Sequence, residues 1–149
     1  MTISTNFADY HHRISLNIRF ADMDSLGHVN NAKYLTYIEV GRLQYFYDLN
    51  VFRVHPEPHV GSIVARTALD YRLPLTLADN PLTIYTRCSK LGNKSYEMEH
   101  LIVRNNQDIA AEGHIVLVAF DYHINQSVAV PDEWRKRIMA YEPAMSSVD

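Results

Sequence analysis

The periodicities of this chain predict an α+β fold, with an antiparallel sheet of about five strands wrapped around one long central helix. Two observations lead there. The stretch 31–49 places Tyr34, Leu35, Ile38, Tyr45, Phe46 and Leu49 at helical spacing, and Tyr37, Val40 and Tyr47 make its other faces apolar too. A helix that is apolar nearly all round belongs in the interior of a domain. The remainder is dominated by four consecutive strand-like segments joined mostly by short turns, and short turns between neighbours mean antiparallel pairing. One apolar helix and one such sheet bury both their surfaces only if the sheet curls around the helix.

The first strand is expected over 12–21, where Ile14, Leu16, Ile18 and Phe20 alternate with Arg13, Ser15, Asn17 and Arg19. A polar loop, Asp22-Met23-Asp24-Ser25-Leu26-Gly27-His28, interrupts it, and Asn30 or Asn31 caps the long helix. The segment 51–59, with two prolines, reads as a loop. Ile63, Ala65, Thr67, Leu69, Tyr71 and Leu73 then alternate with more polar neighbours until Pro74 ends the strand. Further strands are expected at 82–90, 96–104 and 109–122, separated by turns at 91–95 and 105–108. Pro131 opens a short C-terminal helix through Trp134 and Ile138.

The 149 residues fit one domain, 1–149, with 47% hydrophobic and 21% charged residues, a globular profile. A net charge of −3 gives no broad attraction to nucleic acid or an anionic membrane, so neither is expected as a partner. The single cysteine, Cys88, allows no intramolecular disulfide, and no stretch approaches a membrane span or a signal peptide. A soluble cytoplasmic protein is expected.

Asp24 lies just ahead of the long helix, whose first turn offers unpaired N–H groups and a partial positive charge. Such groups can hold the oxygen of a polarised carbonyl, and a carboxylate nearby can attack that carbonyl or deprotonate a water that does so. His28, between them, could orient the water, donate a hydrogen bond or protonate a leaving group. The set suits hydrolysis of an activated acyl group.

The stretch 19–34 carries the ordered pattern Asp-x-Asp-x-x-Gly-His-Val-Asn-Asn-x-x-Tyr, from Asp22 to Tyr34. It resembles the signature of the 4-hydroxybenzoyl-CoA thioesterase-like hotdog family. Tyr37-Ile38-Glu39, Arg42, Leu91-Gly92 with Ser95, Val118-Ala119-Phe120-Asp121 and Pro131 are also similar to that family, so the resemblance spans about residues 12–138. It implies a hotdog fold and makes Asp24 the catalytic carboxylate, with the backbone N–H of Asn31 polarising the thioester carbonyl. The family also includes plant-type acyl-carrier thioesterases, whose aspartate and histidine match Asp24 and His28. Their asparagine falls on Leu26 here, so the resemblance favours an Asp-centred site. It further implies a homodimer or homotetramer with active sites at the subunit interface.

Other residues carry competing readings. Asp22 could be a second carboxylate or a loop stabiliser, and Glu39 either a catalytic acid or the partner of Arg42 three residues on. Asp22, Asp24 and His28 lack a further clustered ligand, so no metal is expected. Cys88 falls on an apolar strand face and reads as a core residue. The tyrosines of the helix read most simply as core and interface groups, although Tyr34 is close enough to the motif to line an acyl pocket. Lys90 and Lys94, with Arg87 and Arg104 nearby in sequence, could meet the phosphates of coenzyme A or be ordinary turn charges. The activity expected is hydrolysis of an acyl-CoA to free acid and coenzyme A without a cofactor. The rivals are an acyl-carrier-protein thioesterase, a non-catalytic acyl-CoA-binding module and a purely structural subunit of a larger assembly. The acyl group itself is open.

Overall fold

A computed structural model describes residues 2–51, 59–142 and 145–147. The loop expected over 51–59 lies, apart from its two ends, outside these residues. The elements in chain order are β1 (His12–Leu16), α1 (Asn31–Asp48), β2 (Val60–Tyr71), β3 (Leu82–Leu91), β4 (Ser95–Arg104), β5 (Asp108–Asp121), β6 (Gln126–Ser127), α2 (Asp132–Tyr141) and β7 (Ser146–Ser147). The five long strands form one antiparallel sheet in the order β1-β3-β4-β5-β2, so β1 and β2 are its edges. Strands β3, β4 and β5 follow one another as hairpins, as their short turns require.

Helix α1 lies against one face of this sheet. Close approach depends on two glycines. A Cβ on Gly41 would stand 2.7 Å from Ile84 Cγ2, and one on Gly113 would stand 2.7 Å from Ile38 Cδ1. Tyr34, Tyr37, Ile38, Tyr45 and Phe46 of the helix are buried against Leu82, Ile84, Met98, Ile102 and Ile115 of the strands. The expectation of burial all round the helix is not met within one chain. Leu35, Val40, Leu43 and Tyr47 are 41%, 42%, 45% and 73% exposed. The sheet covers one side of α1 only.

The first strand also ends earlier than its alternation suggests, at Leu16 rather than near residue 21. Ile18 is buried as the pattern requires, but the Asn80 side chain takes both its N–H (2.6 Å) and its C=O (3.1 Å). Pro81 has no N–H to extend the ladder beyond Leu16↔Leu82. A side-chain amide thus replaces the missing rungs. Phe20 then leaves the sheet in a single 3-10 turn, Phe20–Asp22, and is 84% exposed.

The opposite face of the sheet carries a separate apolar cluster. Ile3, Phe7 and Tyr10 of the N-terminal segment pack on Tyr85, Leu101 and Val103, with the Phe7 and Tyr85 rings stacked at 5.0 Å.

Candidate active site

The loop between β1 and α1 is built as a small hairpin. Met23 bridges Val29, Asp24 N–H donates to His28 C=O at 2.7 Å, and Asn30 N–H donates to Asp22 C=O at 2.8 Å. Gly27 turns the tip at φ +83°, where a side chain would be strained. Val29 N–H donates to Leu75 C=O at 2.8 Å, tying this hairpin to the segment ahead of β3.

Asp22 is the buried carboxylate of the loop. It accepts from the Arg19 backbone N–H (3.0 Å), the Arg19 guanidinium (3.1 Å) and the Tyr37 hydroxyl (2.7 Å). Burial alone would push its carboxyl up. The hydrogen bonds from Arg19 and Tyr37 outweigh burial and hold it below the usual carboxylate range. These bonds fit the loop-stabilising reading of Asp22.

Asp24 is exposed. Its Oδ1 accepts from Leu26 N–H (2.8 Å) and His28 N–H (3.2 Å), which closes the turn. Its other oxygen, Oδ2, has no hydrogen-bond partner among the described residues. Asn30 caps α1, its side chain accepting from Ala32 N–H at 2.9 Å, while its C=O accepts from Lys33 N–H at 2.9 Å. The Asn31 N–H, beside those two donors, carries no hydrogen bond among the described residues. A free carboxylate oxygen and a free helix N–H therefore belong to one exposed loop–helix junction. His28 is exposed on the same turn.

Two tyrosines fix the start of the helix. Tyr71, on the end of β2, donates to Asn31 C=O at 3.0 Å, and buried Tyr34 donates to Leu73 C=O at 3.1 Å. Their rings meet edge-on at 5.0 Å. Burial pushes the Tyr34 hydroxyl above its ordinary range. The pattern of the sequence singles out neither Tyr37 nor Tyr71 for this junction. Their ring spacing reads as core, and nothing in it reveals where a hydroxyl will point.

The basic residues lie elsewhere. Lys90 pairs with Glu97 at 3.2 Å. Arg87 pairs with buried Glu99, and Arg104 reaches Asp79 and Asp108 at 3.8 Å each. Lys94 is exposed in the β3–β4 turn. Tyr71, beside the helix start, is opposite Ala111 on β5, whereas Ser95 is opposite Val118. Seven residues of β5 separate those positions, or roughly 23 Å at the rise of a strand. One chain does not bring Lys90 or Lys94 to Asp24.

Glu39 is exposed and lies 4.0 Å from Arg42, so the expected pair is present at the limit of contact. Cys88 is buried, and burial pushes its thiol up to about 12, which leaves it unreactive.

Comparison with known proteins agrees with this architecture. Residues 18–138 match the family model described as the thioesterase-like superfamily, and the chain belongs to that family. It is a thioester hydrolase of the hotdog fold. Long-chain acyl-CoA thioesterase FadM of Escherichia coli (strain K12) is 26% identical over 124 residues, covering 83% of this chain and 93% of that protein. A thioesterase of Thermus thermophilus, crystallised with coenzyme A and zinc, is 35% identical with a TM-score of 0.78, covering 93% of this chain and 98% of that one. The PA5185 protein of Pseudomonas aeruginosa strain PAO1 is 25% identical with a TM-score of 0.82, covering 93% and 96%. Among the described residues no helix is long and apolar enough to cross a membrane.

Proposed function

We propose that the chain hydrolyses an acyl-CoA thioester to the free acid and coenzyme A at the junction of Asp24 and Asn31. The observation that carries this reading is that, among the described residues, a carboxylate oxygen and a helix N–H at the same loop–helix junction are both unengaged. The thioester oxygen would accept from Asn31 N–H, where negative charge develops as the carbonyl carbon becomes tetrahedral. Asp24 Oδ2 either attacks that carbon or takes a proton from a water that does. The C–S bond then breaks and the thiolate takes up a proton, for which His28 is the proposed donor. The first route passes through an acyl anhydride on Asp24, which water resolves to the same products. No cofactor is required by either route. The name of the Escherichia coli relative and the coenzyme A of the Thermus thermophilus crystal support this carrier.

The working unit in this proposal is a homodimer. Strand β2 is an open sheet edge, with Ile63 and Val64 42% and 48% exposed, and the uncovered side of α1 is apolar. Antiparallel pairing of two β2 edges would set the Tyr71 end of one strand beside the Val60 end of the other. Val60 is opposite Asp121 on β5, near the Ser95 end of the sheet. The partner's Lys90 and the partner's Lys94 would then lie on the same side as Asp24, available to the phosphates of coenzyme A. Tyr34 would border the acyl group from beneath the helix start.

The test is thiol release from a panel of acyl-CoA esters by wild type and Asp24→Asn. Turnover on some member, lost by about a hundredfold or more in the variant, is expected; that is about 2.7 kcal/mol of transition-state stabilisation. Equal rates for the two proteins, or no turnover on any ester, would sink the assignment.

A further inference from the structure

At the β1 edge of the sheet an open groove of about 580 Å³ is lined by Arg13, Ser15, Thr83, Tyr85 and Asn106, with Ile14 and Pro81 as its apolar members. Its position follows from strand alternation. Arg13 and Ser15 stand opposite Tyr85 and Thr83 in the β1–β3 register. The intervening Ile84 points to Gly41 of α1, so its neighbours on the strand face the other way. Asn106 joins from the β4–β5 turn, where its backbone is left-handed at φ +60°. The groove therefore shares no residue with the Asp24 junction.

The lining is rich in donors and contains no carboxylate. Arg87 and Arg104, on the neighbouring strands, are neutralised by Glu99 and by Asp79 and Asp108. Arg13 forms no ion pair among the described residues. A guanidinium fork without a counter-ion, two aliphatic hydroxyls and an amide match an anion with several acceptor oxygens. The volume exceeds what an inorganic anion needs and is that of a small-molecule site. We propose that this groove is a second binding site, for a phosphate monoester, with Arg13 forking onto the phosphate.

The experiment is a titration of the full chain, followed by backbone amide resonances, with adenosine 5′-monophosphate, inorganic phosphate and adenosine. Saturable shifts at residues 13–15, 83–85 and 106 with the monophosphate, and none there with adenosine, are expected. Inorganic phosphate acting on the same residues supports the proposal and identifies the phosphate itself as the recognised group. Arg13 is exposed, so Arg13→Gln should melt like wild type yet bind the monophosphate at least about tenfold more weakly, as loss of a charge-assisted pair implies. No saturable shift up to millimolar ligand, equal response to adenosine, or unaltered binding by Arg13→Gln would each overturn it.

Discussion

The Tyr37 hydroxyl donates to Asp22 Oδ2 at 2.7 Å, joining the second turn of α1 to the buried root of the loop that carries Asp24. Tyr37→Phe removes the donor and leaves a buried carboxylate one partner short. The expected cost is about 1–3 kcal/mol of stability at neutral pH. Asp22 is held below the usual carboxylate range, so its stabilisation is present above the unfolded carboxylate pKa and lost as pH falls through the folded one. The variant should therefore lose stability relative to wild type at neutral pH and converge with it in acid. Chemical denaturation across that window reads this out; a constant difference down to pH 2 would contradict the assignment.

Gly41 predicts a different failure. The helix can approach β3 only because nothing projects from that position toward Ile84 and Thr86. Gly41→Ala improves helix propensity by about 1 kcal/mol, but the added carbon forces Ile84 or the helix to move. Overpacking of this kind costs typically about 1–3 kcal/mol, so a net loss in melting temperature is expected. A more stable Gly41→Ala protein would show that the helix rides further from the sheet.

Much of this was legible in residue order. Alternation located β2 through β5 to within a few residues, and the apolar 31–49 stretch located α1, whose observed range is Asn31–Asp48. The loop motif pointed to Asp24 and Asn31 because a resemblance supplied their roles; spacing alone would have left Asp24 as a turn residue. What stayed hidden depends on distant partners. Asn80 closing off Ile18 reaches across 62 positions, and Tyr71 meeting Asn31 across 40. Neither leaves a periodic trace. Periodicity assigns the apolar far side of α1 to an interior because it reports only that a face is apolar, and cannot say whether the cover comes from the same chain.

Glu142, at the end of α2, accepts from Cys88 N–H at 2.6 Å and Tyr45 hydroxyl at 3.2 Å. Burial, only partly offset by those bonds, raises its carboxyl to about 7. The unfolded chain ionises this group near 4.5, so as pH rises from there to about 7 the unfolded state loses its proton first. Stability contributed at this site is full below that window and declines through it. Glu142→Gln, which keeps an acceptor for Cys88 N–H and cannot ionise, should gain on wild type between pH 5 and pH 8. Urea midpoints at the two pH values test it, and a wild type that instead gains on the variant would reverse the sign.

The open edge at β2 carries the last prediction. In one chain Ile63 and Val64 sit on the open edge of the sheet, and Leu35, Val40 and Leu43 face away from it. A β-bulge between Val64 and Arg66 breaks the register of β2 against β5 in the middle of that edge. If two β2 edges pair, a charge at Ile63 is carried into the new interface without a partner, and an unpaired charge taken out of water opposes association. Ile63→Glu should then shift the chain toward monomer in light scattering, with little change in its own secondary structure because the side chain is 42% exposed in the single chain. Turnover should fall with the dimer fraction and recover as protein concentration rises, since each site would need the partner's Lys94. A monomeric wild type, or an Ile63→Glu variant that is monomeric yet fully active, would remove the partner from the site.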